Sequence, residues 1–408
     1  KKQNSNKRIV IGFLLIGDGN WKGGLNYQKT LLKIISTHLS ELVVAKIFAT
    51  SNQLKIAEEA FGQYLEEPII IDSRVNKAGT GIKALKALIF GSDKSIENLF
   101  HENNVDIVFE TARFFGKNFS LPCLSWIPDL QHKYLPHFFS FFSWWKREIG
   151  FTAQTKYSKR RLIILSSMVA QKDCETFYPK CKNRTHVMRF SPQFDISSVH
   201  QKVSTVRSKY DLPKKYFYLP NHFWAHKNHR IVVDAIQIVR DNGLHESLPP
   251  VIMSGPIDTQ NTNVFDDIIS RIKDNNLNTN ISYIGIIPYD EVLALNAGSI
   301  AVINPSMFEG WSSSVEEAKT LGTQLILSKI DVHKEQAPHA KFFDPDNASD
   351  LADALINTSS NCKYSLYKDP SILESEAQER INEFSISLKS AIMKSFKLKS
   401  TSKLGIIK

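Results

Sequence analysis

The sequence predicts an α/β protein with two Rossmann-like domains, each a doubly wound parallel sheet covered by helices. Its 408 residues exceed what a single hydrophobic core usually organises, so two domains are expected. Apolar runs such as residues 8–16 and 43–49 are nearly uninterrupted by polar residues, which is typical of strands buried on both faces of a parallel sheet. Helical patterns separate these runs along both halves of the chain, which gives the β–α–β alternation of this fold class.

Composition limits the classes of function. The formal net charge of +10 is compatible with nucleic acid, an anionic membrane surface or phosphorylated substrates as partners. No nucleic-acid-binding motif accompanies the charge, so nucleic acid is not an expected partner. The cysteines form no C-x-x-C pair, which predicts reduced thiols in a cytoplasmic protein and neither zinc nor disulfides; they are Cys123, Cys174, Cys181 and Cys362. No apolar run approaches the roughly 18 residues that a membrane span needs.

The first domain is predicted to contain a series of buried strands. They are expected at 8–16, 43–49, 68–72, 105–109, 121–127 and 163–167, and the run at 163–167 is expected to be the last. After the first strand, Gly23 and Gly24 are expected directly before a helix, where a backbone without side chains lets a phosphate or sugar approach closely. Many β–α loops need glycine only for their geometry, and that alternative remains open.

Two features follow the run at 121–127. Asp129 and His132 come at its carboxyl end, where ligands collect in parallel sheets, so both are candidate ligand-binding residues; a loop aspartate and a surface histidine are the alternative. Residues 134–163 then combine many aromatic residues with lysines and arginines, including four basic residues within 156–161. This composition suits peripheral contact with an anionic membrane, although a helix packed against its own domain gives the same pattern.

A polar, weakly periodic stretch at 192–212 predicts the domain boundary. We expect a first domain over 1–198, completed by about 385–408, and a second over 199–384. The second domain opens with a strand at 216–220 followed by His222, His226 and His229. Because no cysteine or carboxylate lies close to these histidines in sequence, a loop facing phosphate explains them better than a metal site.

Residues 299–337 carry the main functional signal. An apolar strand at 300–303 leads through a loop with Glu309 into a helix, for which Ser314 and Glu317 fit a capping box and Gly322 fits the C-cap. Free amides at such a helix start suit a diphosphate. A carboxylate in the loop just before them repels that diphosphate, so Glu309 is better explained as an acceptor for hydroxyls of a group attached to the phosphate. Glu317, about one turn inside the helix, offers an acceptor for a second set of hydroxyls such as those of a ribose. The alternative is a solvated loop acid and a simple capping residue.

The string at 305–328 resembles the donor-site signature of retaining glycosyltransferases of family 4, which have the GT-B fold. The matching residues are Pro305-Ser306, Glu309-Gly310-Trp311, Glu317-Ala318, Gly322 and Leu325-Ile326-Leu327. Residues 341–355 resemble the strand, turn and helix that follow in that family. The resemblance implies two domains facing a cleft, with the donor in the C-terminal domain and a C-terminal helix that crosses back to the first.

The resemblance also assigns residues. It implies that Lys227 grips the diphosphate, whereas the family's arginine falls on His222, or on Asn221 with a one-residue shift. Where relatives carry a His-Asp pair, this chain has Pro128-Asp129, and His132 comes three residues after Asp129, so the resemblance makes Asp129 and His132 candidate acceptor-site residues. The expected catalytic residues are Glu309, Lys227, Asp129 and His132. The expected donor-binding residues are Gly23, Gly24, Asn221, His222, Lys227, Glu309, Gly310, Trp311, Ser313, Ser314 and Glu317.

The implied activity is transfer of a hexose from a UDP- or GDP-linked sugar to a growing surface glycan or lipid-linked oligosaccharide, such as lipopolysaccharide, with retention of configuration by front-face attack. No cofactor and no metal are expected beyond the nucleotide sugar. Two alternatives share the fold: a nucleotide-sugar 2-epimerase, which needs no acceptor, and a catalytically inactive partner protein. We expect the protein in the cytoplasm, with contact to the inner face of the cell membrane as a further expectation.

Overall fold

The computed structural model describes residues 7–16, 22–111, 113–157, 160–244, 246–259, 261–361 and 369–400. The chain forms two compact units. The first contains the residues up to His132, residues 139–191 and the chain from Arg380 onward; the second contains residues 133–138 and 192–379. Each has its own parallel sheet and its own core, as the sequence predicts.

The first unit is built on a seven-stranded parallel sheet with the order β3-β2-β1-β4-β5-β6-β7. Its strands are β1 (Ile9–Leu14), β2 (Val43–Ala49), β3 (Ile70–Ile71), β4 (Ile107–Thr111), β5 (Cys123–Trp126), β6 (Arg161–Leu165) and β7 (Thr185–Val187). The helices described between them are α1 (Lys22–His38), α2 (Leu54–Phe61), α3 (Gly81–Phe90), α4 (Lys94–Glu102), α5 (Gln131–Tyr134), α6 (Phe141–Lys156) and α7 (Met168–Phe177).

Two local predictions for this unit are wrong. The strand at 163–167 is not the last, because β7 pairs with β6 beyond it. The three residues of β7 are only half-buried, so no apolar run marks them in the sequence. Gly23 and Gly24 do not precede the helix either: α1 begins at Lys22 and includes both glycines in its first turn.

The second unit has a six-stranded parallel sheet with the order β10-β9-β8-β11-β12-β13. Its strands are β8 (Phe217–Pro220), β9 (Val251–Ser254), β10 (Ile281–Tyr283), β11 (Ala301–Asn304), β12 (Gln324–Ser328) and β13 (Lys341–Phe343). Its helices are α8 (Ile196–Lys209), α9 (His229–Asp241), α10 (Asn263–Asp274), α11 (Tyr289–Gly298), α12 (Ser313–Leu321), α13 (Asp331–Gln336) and α14 (Ala348–Ser360). The strand order reverses between β8 and β11, and in open α/β sheets such a switch point is where ligands bind.

The stretches at the unit boundaries are helical. Most of the polar stretch at 192–212 is α8, which Asp195 caps by accepting a hydrogen bond from the Ser198 amide at 2.9 Å. The last helix, α15 (Pro370–Ser400), begins in the second unit and passes into the first from Arg380. Phe384 and Leu388 on α15 are buried in the same core cluster as Ile9 and Leu31 of the first unit. Residues 401–408 of the basic tail lie outside the described residues.

The core of the first unit contains one fully buried ion pair. The Arg161 guanidinium donates to both carboxylate oxygens of Glu110, at 2.8 and 3.1 Å, and both side chains are at most 1% exposed. Arg161 also donates to the Gly116 carbonyl at 3.2 Å, and the Ser125 hydroxyl donates to Glu110. Arg161 therefore does not belong to a basic surface stretch at 156–161, as the sequence suggested, because it neutralises a carboxylate inside the sheet.

Candidate active site

The candidate site lies at the switch point of the second sheet, where the loops after β8 and β11 meet. The Met307 amide donates to the His226 carbonyl at 2.8 Å, which ties the two loops together. Below them, Asn304 is fully buried at the end of β11 and its amide donates to the Ser312 hydroxyl at 2.9 Å. Asn221, at the end of β8, is also buried and lies 3.5 Å from both Asn304 and Ser314. A polar floor therefore joins both loops to the start of α12.

Lys227 and Glu309 form an ion pair across these loops. The Lys227 Nζ atom lies 2.5 Å from Glu309 Oε1, and the side chains are only 13% and 10% exposed. Burial would raise the pKa of Glu309, but the charge of Lys227 outweighs it, with smaller contributions from two histidines, and holds the pKa at about 2. Ser306 adds a hydroxyl donor to the same oxygen at 2.7 Å. Glu309 is therefore ionised at neutral pH and held in place from two sides.

The start of α12 is organised differently from the prediction. The helix begins at Ser313 with Ser312 as N-cap, so Ser314 and Glu317 do not form the capping box that their spacing suggested. The side chain of Gln336 on α13 binds the backbone of the N-cap residue, Ser312, instead. It accepts from the Ser312 amide at 3.1 Å and donates to the Ser312 carbonyl at 2.7 Å. The C-cap prediction is confirmed, since Gly322 has a φ of +72°.

Glu317 faces Tyr289 from α11. The Tyr289 hydroxyl donates to Glu317 Oε1 at 2.9 Å, while Glu317 itself is 7% exposed. Burial raises the pKa of Glu317 to about 7, although the hydroxyl of Tyr289 acts in the opposite direction. The two glutamates of the site thus differ in charge state near neutral pH because only Glu309 has cations beside it.

This difference predicts a pH-dependent stability. Below pH 4.5 Glu317 is protonated in both the folded and the unfolded chain. Between pH 4.5 and about 7 only the folded chain keeps the proton, so the free energy of unfolding falls as the pH rises. The loss of stability is complete above about pH 7. At about 1.4 kcal/mol per pKa unit, the loss is about 3 kcal/mol. We expect Glu317→Gln to be more stable than the wild type at pH 8 and equal to it at pH 4, measured by denaturant unfolding. The exposed Glu246→Gln serves as the control, and an equal gain at both pH values would contradict the assignment.

His333 on α13 is a site residue that sequence reasoning missed. It is fully buried, and its Nδ1 atom lies 3.0 Å from the Ser328 carbonyl oxygen. The Ser328 hydroxyl lies 3.1 Å from the same Nδ1 atom and donates to the Ser306 carbonyl at 2.6 Å, which connects the ring to the loop that carries Glu309. The signal in the sequence is weak, because His333 comes five residues after β12 in a stretch of ordinary helical composition.

The three histidines after β8 pack against aromatic side chains. His222 stacks on Trp224 with ring centroids 4.6 Å apart, and Trp224 in turn stacks on His226 at 5.7 Å. His229 is buried at the start of α9 against Phe223, and burial lowers the pKa of its imidazole to about 3. Within the described parts of the chain, no group of three or more His, Cys, Asp or Glu side chains is arranged to hold a metal ion.

The remaining predicted donor residues lie in the same loop and helix. Gly310 is buried, Trp311 is partly exposed with the Lys319 ammonium 6.0 Å from its ring centroid, and Ser313 is exposed at the first position of α12. The structure thus brings Asn221, Lys227 and Glu309 together with the start of α12 in one unit.

The candidate acceptor residues belong to the first unit. Asp129 accepts from the Gln131 amide at 3.1 Å and lies 3.4 Å from Arg147. His132 is fully buried, with its Nε2 atom 3.1 Å from Glu148 and its ring packed against Phe151 and other aromatic side chains. The His132 side chain is therefore not a surface group within this unit.

Gly23 is exposed and Gly24 is buried in the first turn of α1.

Two parallel-sheet units of this kind, with an acidic loop and a helix start at the second switch point, define the GT-B class of glycosyltransferase folds. A glycosyltransferase from Rickettsia africae has the same fold, with a TM-score of 0.67 at 17% identity over 96% of this chain and 98% of that chain. Anabaena HepE in complex with UDP and glucose gives a TM-score of 0.67 at 15% identity, over 95% and 100% of the two chains. WaaG, a glycosyltransferase involved in lipopolysaccharide biosynthesis, gives 0.61 at 13% identity over 94% and 99%.

The match to a known family lies in the second unit. Residues 201–371 match the family model of glycosyl transferases, group 1. The matched part of the chain is similar to that family, and it contains Lys227, Glu309 and Glu317. No curated protein sequence matches the chain.

Proposed function

We propose that the protein is a hexosyltransferase that takes its sugar from a nucleoside-diphosphate donor bound at the switch point of the second unit. The observation that carries the proposal is the largely buried pair of Lys227 and Glu309 beside the start of α12. It combines a cation for a diphosphate with an ionised acceptor for sugar hydroxyls. HepE, whose fold is similar, has been crystallised with UDP-glucose.

The charges of the site fit the chemistry of the leaving group. When the bond between the sugar and the phosphate breaks, negative charge accumulates on the diphosphate. Lys227 and the first-turn amides of α12 stabilise that charge. Glu309 then faces the sugar, where its negative charge stabilises the positive charge that develops at the ring, and Glu317 holds the ribose of the nucleotide.

Retention of configuration follows from front-face attack in this proposal. Double displacement requires a carboxylate nucleophile with a second carboxyl group about 5 Å away. The neighbouring charge that does most to keep Glu309 ionised is instead the cation of Lys227. We therefore propose that the leaving phosphate itself takes the proton of the attacking hydroxyl. Asp129 is proposed to orient the acceptor.

The direct test is a panel of nucleotide sugars that includes UDP-glucose and GDP-mannose. We expect one of them to be bound and slowly hydrolysed, with NMR showing the α anomer of the sugar as the first product from an α-linked donor. Because Lys227 and the α12 amides supply the positive charge, we expect EDTA to leave the rate unchanged. Isomerisation of the donor to its 2-epimer, or binding without any turnover on added glycan acceptors, would overturn the proposal.

The acceptor is proposed to be a growing surface glycan or lipid-linked oligosaccharide, reached at the cytoplasmic face of a membrane. α6 exposes an apolar face, and its most exposed members are Phe141, Phe142, Trp145 and Ile149. Lys146 is exposed on the same helix. α3 exposes a second apolar face with Ile82, Leu85, Ile89 and Phe90. Exposed aromatic rings beside lysines suit an interface with anionic lipid. No helix in the described ranges is long and apolar enough to cross a membrane.

The free thiols support the cytoplasmic side. Cys123, Cys174 and Cys181 are buried and unbridged, and the sulfurs of Cys174 and Cys181 lie 3.7 Å apart. Two thiols so close to each other remain unpaired most readily in a reducing compartment.

Membrane contact can be tested by sedimentation with phosphatidylglycerol vesicles. Each exposed aromatic side chain that leaves water contributes about 1.5–3 kcal/mol, so we expect the double variant Phe142→Asp, Trp145→Asp to reduce vesicle binding at least about tenfold. Ile372→Asp, at a position 51% exposed in the second unit, is the matched control and should bind as the wild type does. Equal binding by all three proteins would contradict lipid contact through α6.

A further inference from the structure

One ring nitrogen of His333, Nδ1, has a hydrogen-bond partner, and the other, Nε2, has none among the described residues. Nδ1 lies 3.0 Å from the Ser328 carbonyl oxygen, which can only accept, so Nδ1 carries the proton in the neutral ring. Nε2 then presents a lone pair. This atom is buried and has no hydrogen-bond partner among the described residues. A buried acceptor without a partner is costly, which indicates that a donor occupies this position when the site is in use.

The surroundings of His333 connect it directly to the donor site. The Ser328 hydroxyl donates to the Ser306 carbonyl at 2.6 Å, and the Ser306 hydroxyl donates to Glu309 at 2.7 Å. The ring of His333 is thereby held against the loop that carries Glu309. Three residues further along α13, Gln336 holds the start of α12 through both backbone groups of Ser312. One short helix thus supports both the acidic loop and the helix start.

We propose that His333 is a specificity-determining residue of the donor site, whose Nε2 atom accepts a hydrogen bond from a hydroxyl of the transferred sugar. This inference rests on the proposed function. Glu309 and His333 then accept hydrogen bonds from two neighbouring positions of the sugar. Glu309 provides a charged acceptor and His333 provides a neutral acceptor. The proposal places His333 at the sugar and not at the nucleotide, so substitutions of His333 are expected to change the affinity for the nucleotide sugar and not the affinity for free UDP or GDP.

The side chain offers a matched pair of substitutions that separates its two nitrogens. In His333→Asn the amide nitrogen occupies the place of Nδ1 and keeps the bond to the Ser328 carbonyl, but nothing replaces Nε2. In His333→Gln the terminal amide reaches the place of Nε2 and restores an acceptor there, while the bond to Ser328 is lost. A purely structural role predicts that Asn is the better substitute, and a sugar-binding role predicts that Gln is.

The experiment measures the dissociation constants of UDP and UDP-glucose, and of GDP and GDP-mannose, by calorimetry for the wild type and both variants. We expect His333→Asn to bind the free nucleotide as the wild type does and to lose about fivefold to tenfold in affinity for the nucleotide sugar. This is the loss expected for one neutral hydrogen bond. His333→Gln should retain the sugar affinity within about twofold. If the asparagine variant does not fold, His333→Leu takes its place in the same comparison.

The outcomes distinguish this inference from the proposed function. If the wild type binds and hydrolyses a nucleotide sugar but His333→Asn binds it equally well, the role of His333 is overturned and the proposed function stands; Nε2 then faces only a buried water. If the asparagine variant loses affinity for the free nucleotide and for the nucleotide sugar to the same extent, His333 only supports the fold, and the inference is also overturned. If the wild type binds neither nucleotide nor nucleotide sugar, both the inference about His333 and the proposed function are overturned.

Discussion

Replacing Glu309 with Gln is expected to reduce kcat about 10²- to 10³-fold while leaving the affinity for the free nucleotide no weaker than in the wild type. Glutamine preserves the shape of the side chain and can keep the contact with Ser306, but it removes the negative charge that the site holds ionised. Loss of one preorganised electrostatic contact to a transition state typically has this magnitude. Since Lys227 also loses its partner, its charge becomes more available to the diphosphate.

The rate is measured as release of UDP or GDP from the nucleotide sugar that the wild type hydrolyses. Glu291→Gln is the matched control, because Glu291 pairs with Lys209 at 2.6 Å in the same unit but lies outside the site. It should turn over as the wild type does. Unchanged turnover in Glu309→Gln would discard the role of Glu309, and a parallel loss of nucleotide binding would show that the carboxylate supports the fold of the loop instead.

The largest effect on stability is expected for Arg161→Met. This substitution leaves the Glu110 carboxylate inside the first sheet without its cation, and the Gly116 carbonyl without its donor. Breaking a buried ion pair by removing one partner typically costs about 3–5 kcal/mol because the remaining charge is uncompensated. The loss should appear as an earlier unfolding transition of the first unit in denaturant, followed by near- and far-ultraviolet circular dichroism.

Two controls sharpen this prediction. Arg8→Met breaks the pair between Arg8 and Glu66, whose side chains are 40% and 46% exposed, and should change stability by no more than about 0.5–1 kcal/mol. The double variant Glu110→Met, Arg161→Met removes both charges and should recover most of the loss. Equal stability of Arg161→Met and Arg8→Met would show that the buried pair contributes no more than a surface pair.

The fold class could be predicted from the sequence because its strands are local and apolar. Runs such as 43–49 are buried on both faces whatever their order in the sheet, so their composition alone identifies them. The donor-site signature is also local: Glu309, Gly310 and Glu317 lie within nine residues of chain on one strand–loop–helix unit. The sequence could not identify β7, which is three residues long and half-buried, because its pairing with β6 decides its conformation.

What the sequence alone determined about this protein is the two-domain parallel α/β class and the strand–loop–helix unit that carries Glu309 and Glu317. Only the tertiary structure decided their charge states, because Lys227 reaches Glu309 from a loop 82 residues earlier in the chain, whereas Glu317 is buried and accepts from the hydroxyl of Tyr289. It also decided that Gln336, and not a capping box, holds the start of α12, and that the Nε2 atom of His333 is buried without a hydrogen-bond partner among the described residues. These contacts join residues from different β–α units, and the pKa of a carboxylate depends on the burial and the neighbouring charges that such contacts create.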